Sequence, residues 1–530
     1  MATTIRTARQ LGTDAPERVR RTRVVVVGAG AAGLTAAMQL AAAGVDTILL
    51  TAGTLLDSAT AISTGRIAAW SGPRDHEEAL ARGFGVADEE ALRHLLAAAP
   101  LVHDKVMEFI ERADALHAGR YETNGYRVQR SLASVVRTMA GRLGSSLRVE
   151  TGARGIDVLT DDSGRVAGLR TVCLDGSIVD ISAPAVVLAG GGAERFWART
   201  TAPATATGDA VAMALRAGAE LRDMEFTAFA PAAVDLPAEL TLPLDPAVTL
   251  GRELRQAGAR IIDQQGRPAL AGLGEDETKP SDELAMAIHD WLTGHVGQQL
   301  FLDGTLIGET SWAAPPLSAT LAACRARGID PTRAPVPIRP APQTMIGGIS
   351  VTPNGASTVP GLYAAGEAAC TGARGAAGPS NTGLVEALVG GFTVGAHLAR
   401  TVGSFGEPGE PAARETGGCV PAAARPRITG AGQAAGLMRE HTELTRAAEG
   451  LVALPTGAPF SGPALSATNL RLVGAAVLAA AKARPESRGW HRRADHPDSS
   501  EKWARTIRVD LDDEGRLRVR SSAVGNRAGR

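Results

Sequence analysis

The chain has 530 residues, a formal net charge of −1 and 44% hydrophobic residues, enough to bury roughly two to four domain cores. That near-neutral balance gives no basis for a nucleic-acid partner or an anionic membrane surface. Cys173, Cys324, Cys370 and Cys419 are scattered without a CxxC pair, which argues against a disulfide framework and against zinc or iron–sulfur ligation. Lysine stands only at 105, 279, 482 and 502, so arginine carries almost all the positive charge. No apolar run approaches about 18 residues, so no membrane span is expected. The first 22 residues are polar and arginine-bearing, so residues 1–22 read as a disordered leader and the expected location is the cytoplasm.

Residues 23–34, RVVVVGAGAAGL, hold the first element pair. Val24 to Val27 form the β-branched run of a parallel strand buried on both faces. Gly28, Gly30 and Gly33 follow at G-x-G-x-x-G spacing, with Ala31 and Ala32 opening a helix over 31–43. The first glycine permits a tight turn and the second lets the backbone approach a pyrophosphate. The third lets helix pack on strand, and the helix N-terminus offers free N–H groups. The motif alone is weak, but strand before and helix after are the context that supports a dinucleotide site. Gly44 ends the helix and a second strand follows over 47–50. Such folds often end this strand in an acid that holds a ribose; this chain has Thr51, then Ala52 and Gly53, which speaks against an ordinary NAD site.

Helical periodicity is expected over 77–118 and 131–143, then a strand pair over 147–159 and 166–174 with a turn at 161–164. Residues 182–192, SAPAVVLAGGG, read as a buried strand ending in Ala189, Gly190 and Gly191. Thr207-Gly208-Asp209 opens a helix over 210–217. From 231 to 342 prolines, short strands and isolated helices alternate, the pattern of an inserted domain. Residues 347–350 and 361–366 return to strands that run into glycine. The stretch 404–426 reads as a linker, followed by helical patterns over 431–451 and 469–483 and a charged tail. Three separate strand-into-glycine segments favour one composite site.

Several of these segments together resemble one family. They are Val27-Gly28-Ala29-Gly30-Ala31-Ala32-Gly33, Thr207-Gly208-Asp209, Asp223-Met224-Glu225-Phe226, Gly361-Leu362-Tyr363-Ala364-Ala365-Gly366-Glu367 and Glu486-Ser487-Arg488-Gly489-Trp490-His491. The chain is similar to the flavoproteins of succinate dehydrogenase, fumarate reductase and L-aspartate oxidase, with the oxidases nearest in length. The resemblance implies an α/β fold with a Rossmann-like, discontinuous FAD-binding domain (23–230 and 343–403). An α+β capping domain (231–342) would be inserted in it. A linker (404–426) and a C-terminal helical domain with tail (427–530) would follow.

Carried over by position, the resemblance places Gly28, Gly30 and Gly33 at the pyrophosphate, and Thr51 with Gly53 near the adenosine. Ala153 would offer backbone to adenine. Thr60, Ser63, Thr64 and Gly65 would pass the isoalloxazine. Asp209 and Glu367 match acidic FAD contacts, Gly366 precedes Glu367, and Leu384 and Val385 would open a helix whose positive end faces the reduced flavin. The position at which the membrane enzymes carry a covalent histidine link is Ala59 here, so the implied FAD is non-covalent.

The substrate side departs from the family. Its two histidines match Ala230 and Gln343, and one of its two arginines matches Gly378. The other survives as Arg255. Each charged hydrogen bond to a buried carboxylate contributes roughly 1.5–3 kcal/mol, so three losses would weaken carboxylate binding by orders of magnitude unless replaced. Gln343 can still donate and accept a hydrogen bond, and Arg374 lies close enough in sequence to swing toward Gly378. Arg255 reads as an anchor or proton relay, since guanidinium is hard to deprotonate, and His491 as part of the C-terminal domain. The expected activity is hydride transfer from a small amine- or carboxylate-bearing substrate to FAD, with electrons leaving to oxygen or a soluble acceptor. The alternatives are a fumarate reductase or succinate dehydrogenase-type subunit and a catalytically silent flavin-binding protein.

Overall fold

The computed structural model describes residues 5–63, 65, 73–114, 124–142, 144–237, 239, 245–270, 280–315, 317–379 and 382–525; Thr64 lies outside them. Five parallel strands form the central sheet, in the order Leu362–Ala364, Ala185–Leu188, Val24–Val27, Thr47–Thr51 and Leu147–Thr151. Val24 to Val27 are all buried, as a strand covered by helices on both faces requires. The helix Ala31–Ala42 crosses Gly383–Thr401 at backbone contact: a Cβ on Gly391 would stand 2.2 Å from the Ala32 carbonyl oxygen. Sequence positions 350 residues apart thus form one layer over the sheet.

Beside it lies an antiparallel meander, Arg154–Thr160, Val166–Val172 and Ile178–Ser182, edged by Arg18–Arg21. The expected single strand over 147–159 is therefore two. At Gly152, with φ +70°, the chain turns and leaves the parallel sheet for the meander. The disordered leader is also corrected. Residues 18–21 complete the meander's edge, Gln10–Leu11 pairs with Thr416–Gly417, and Ile5 and Leu11 are buried. An open sheet edge gains hydrogen bonds by recruiting such a segment.

A second, antiparallel sheet joins Thr227–Val234, Val336–Met345, Leu300–Asp303 and Arg260–Ile262. It has its own core around Leu254, Ile288, Trp312 and Ile338, with the helix Ser281–Gly294 packed on it. The long helix expected over 77–118 is two, Pro73–Arg82 and Glu89–Asp114. They break at Gly83, Phe84 and Gly85, the last two at positive φ. The helix expected over 131–143 spans Asn124–Ala140.

The C-terminal region is not purely helical. His441–Val452 and Gly462–Ala483 are helices, but Arg505–Leu511 and Leu517–Ala523 form a hairpin in a further five-stranded sheet with Leu221–Arg222, Gly348–Ser350 and Ala369–Cys370. Gly462–Ala483 is long and apolar enough to cross a membrane by length and composition, and 94% of that window is buried inside the protein. Ser466, Thr468, Asn469 and Arg471 interrupt its apolar run, which is why the sequence did not flag it.

Candidate functional site

A cavity of about 450 Å³ lies at the C-terminal ends of the parallel strands, where open α/β sheets place ligands. One end is built mainly from backbone. Gly28, Gly30, Ala31, Ala32, Thr51, Gly53, Ala153, Ala189, Gly190, Gly191 and Gly366 line it. Gly28 has φ +109°, and a Cβ there would stand 2.3 Å from the Ala189 carbonyl oxygen. Gly33 does not line the cavity but makes it possible. A Cβ at Gly33 would stand 1.8 Å from the Gly28 carbonyl oxygen, so only glycine lets the helix sit this close to the strand.

Gly30 is the N-cap of that helix, with no side-chain cap and no acid in the first turn. Thr60 Oγ1 accepts from the Ala31 N–H at 3.2 Å, tying the loop of Thr60, Ser63 and Gly65 to the helix start. All three residues line the cavity, as does Ala59. Although Thr51 replaces the expected acid, Asp57 lines the same end. Its carboxylate accepts from the Thr54 N–H at 2.7 Å. Spacing from the strand gave no signal for it.

Asp209 lines the cavity, yet its carboxylate is held by the protein itself. Arg154 grips it through two hydrogen bonds of 2.7 and 2.8 Å, and Thr207 and Asn469 donate to it as well. Burial would raise its pKa, but the Arg154 charge and these hydrogen bonds outweigh that and hold it below the ordinary value. Asp209 thereby also positions Arg154 and the strand turn beside the cavity.

Glu367 and Glu194 meet at one donor. The Met345 N–H is 2.7 Å from Glu194 Oε1 and 2.8 Å from Glu367 Oε1. Burial, and then the neighbouring Glu194, push the Glu367 carboxyl well above the ordinary range, which favours its protonated form. Glu194 was not singled out from the sequence, because its partners lie more than 150 positions away. Leu384 lines the cavity near the start of Gly383–Thr401. Val385 is instead fully buried in the core, so only the first residue of that expected pair faces the site.

The other end is built from side chains. Arg82, Phe229, Asp282, Gln343, Ile346, Arg374, Ala377, Gly378 and Trp490 line it. Arg374 is half-buried and crosses Gly378: a Cβ built there would lie 3.0 Å from Arg374 Cβ and 3.3 Å from its Nε. The arginine therefore occupies the space beside Gly378, as its sequence position suggested. Arg255 lies half-buried on the short helix Arg252–Gln256 and is not among the described lining residues. Ala230 is fully buried and also off the lining. His491 sits in a buried network, taking a hydrogen bond from Arg439 on Nδ1 at 2.7 Å and giving one from Nε2 to the Arg484 carbonyl at 3.0 Å. Burial and those two arginines hold its pKa well below the ordinary value, so it is a neutral structural residue.

Residues 23–383 match the FAD binding domain family and 462–525 the fumarate reductase flavoprotein C-terminal family. The chain is 35% identical to an L-aspartate oxidase of Streptomyces coelicolor, over 94% of this chain and 93% of that protein. It is 33% identical to one of Caulobacter vibrioides, over 92% and 96%. The chain belongs to the flavoprotein family of L-aspartate oxidase, fumarate reductase and succinate dehydrogenase. This flavoprotein is an FAD-dependent oxidase or dehydrogenase, L-aspartate oxidase-like in sequence. Its fold matches quinol fumarate reductase of E. coli with a TM-score of 0.82 at 23% identity, covering 96% of this chain and 97% of the other. Adenylylsulfate reductase of Archaeoglobus fulgidus matches at 0.69 and 16%, covering 97% and 98%.

FAD fits the backbone-built end on structural grounds. A side chain at Gly28 or Gly33 would collide with the backbone that shapes that end, and the helix N-terminus at Gly30, with no acid in its first turn, suits a pyrophosphate.

Proposed function

We propose that this flavoprotein oxidises a small amine- or carboxylate-bearing substrate other than L-aspartate. Bound FAD supplies a two-electron acceptor for the substrate's hydride. The protein's part is to hold the substrate's C–H bond against that acceptor and keep water out. One observation carries the altered specificity. At the substrate end the lining offers Gln343 and Gly378 where relatives of this family have charged anchors, and Arg374 has taken the space beside Gly378. The backbone-built end would hold FAD through Gly28, Gly30, Thr60, Ala153, Gly191 and Gly366. Glu367, whose carboxyl burial pushes well above its ordinary range, lines the same cavity. Ala59 has no atom to bond the flavin, which supports non-covalent binding. Oxygen or a soluble acceptor would take the electrons, in the cytoplasm.

The test is steady-state peroxide formation and anaerobic flavin bleaching by the purified holoprotein, across amino acids and dicarboxylates. L-Aspartate should give negligible turnover while another amine or carboxylate bleaches the flavin. Robust peroxide production from L-aspartate would overturn the altered specificity. Failure of every compound to bleach would favour a silent flavin-binding role, and co-purification with an iron–sulfur partner a fumarate reductase type.

A further inference from the structure

The charges around the cavity narrow what the substrate end can hold. Among the described lining residues are three guanidinium groups, Arg82, Arg154 and Arg374, against six carboxyl groups, Asp57, Glu194, Asp209, Asp282, Glu367 and Glu386. Two of the three cations are committed. Arg154 grips Asp209 through both ends of its fork. Arg82, at the end of Pro73–Arg82, bonds Asp282 of the capping helix, whose side chain is 1% exposed. Neither guanidinium can turn to a ligand without stranding a buried carboxylate.

Arg374 is different. Its nearest acid, Glu386, stands 3.9 Å away, beyond hydrogen-bond distance. Arg374 Nε is buried without a hydrogen-bond partner, and so is Glu386 Oε1. Burial pushes the Glu386 carboxyl up to about 7, so near neutrality it is only partly charged and a weak competitor for the arginine. Of the three lining guanidinium groups, Arg374 is therefore the one without a carboxylate at hydrogen-bond distance.

The wall beside it is apolar. The loop carrying Arg374 is fastened to Trp490, whose backbone N–H donates to the Ala376 carbonyl at 3.1 Å. The Trp490 ring lies 6.0 Å from that of Phe229, tilted by 31°. Both rings are 4% exposed, and both line the cavity with Ile346 and Ala377. A second carboxylate placed against that wall would be desolvated without a counter-charge, which is strongly unfavourable. An aromatic or aliphatic group placed there would bury its surface.

We infer that the substrate of this site carries a single carboxylate, held by Arg374, and an apolar substituent packed on Phe229 and Trp490, and that dicarboxylates are poor ligands. This deepens the reading above and rests on it for the word substrate, but its test needs no turnover. Phenylacetate, and succinate as the dicarboxylate, are titrated anaerobically into the oxidised holoprotein, and the shift in flavin absorption is read separately from any bleaching. Phenylacetate should bind at least about tenfold more tightly than succinate. R374Q should lose about tenfold or more of the phenylacetate affinity with flavin content unchanged, and R374K should keep part of it. D282N, which releases Arg82, should raise succinate affinity relative to phenylacetate. Tighter binding of succinate than of phenylacetate by the unaltered protein overturns the inference. So does the absence of any phenylacetate signal at millimolar concentration, or an R374Q or R374K variant that binds phenylacetate as well as the parent. If the probes behave as expected but no compound is oxidised, the proposed function fails and the binding class stands.

Discussion

The two ends of the cavity are made by different means. At the dinucleotide end the ligand surface is backbone: a glycine turn, a helix start and strand ends from 28–53, joined by 153, 189–191 and 366. At the substrate end it is side chains, brought from Arg82, Phe229, Asp282, Gln343, Arg374 and Trp490. The first end can be kept only by keeping the backbone path, whereas the second can be rewritten one residue at a time. This explains how an FAD-binding end built on backbone can coexist with a substrate end of the kind proposed, with Gln343 and Gly378 in its lining.

The contrast breaks most readily at Gly33. G33A places a Cβ 1.8 Å from the Gly28 carbonyl oxygen, and a backbone neighbour cannot step aside as a side chain can. The expected loss is on the order of 3 kcal/mol in denaturant unfolding, with flavin content falling sharply. A variant that keeps parental stability and flavin would show that the turn is not the rigid element described.

A pH titration sharpens the other side. The folded-state Glu386 carboxyl lies near 7, above its ordinary 4.5. Between those values the folded state binds more protons than the unfolded one, so this group's contribution to stability falls as pH rises from about 4.5 to about 7. Its size is at most on the order of 3 kcal/mol. Once charged, Glu386 also competes for Arg374, so phenylacetate affinity should fall several-fold as pH rises through about 7. E386Q should flatten both profiles. A parent profile as flat as that of E386Q would remove Glu386 from this account.

The smallest effect is expected at Thr60. T60V deletes the acceptor of the Ala31 N–H, which is worth about 1 kcal/mol. The flavin dissociation constant should rise about fivefold and the phenylacetate-to-succinate preference should not move. A changed preference would mean that the two ends are coupled rather than separately built.

Legibility in the sequence followed the same division. Val24 to Val27 and the glycines after them are a local pattern, and the structure places Gly28, Gly30, Ala31 and Ala32 on one cavity with Ala189, Gly190, Gly191, Gly366 and Glu367. The resemblance of the chain to its family carried the more distant of these. Elements whose partners lie far along the chain were misread. Arg18–Arg21 is a strand because the meander has an edge to fill. The tail is a hairpin because Leu221–Arg222 offers it a strand to extend. Nothing local announces that Arg154 and Asn469 converge on Asp209.

The sequence by itself determined the cofactor-binding turn and the α/β class, because those depend on residue type at short spacing. Only the tertiary structure decided which cations remain available. Arg82 is neutralised by Asp282, 200 positions away, while Arg374 is left beside Gly378 with an unpaired Nε. A charge's usefulness depends on which opposite charge folding sets against it, and sequence spacing does not encode that.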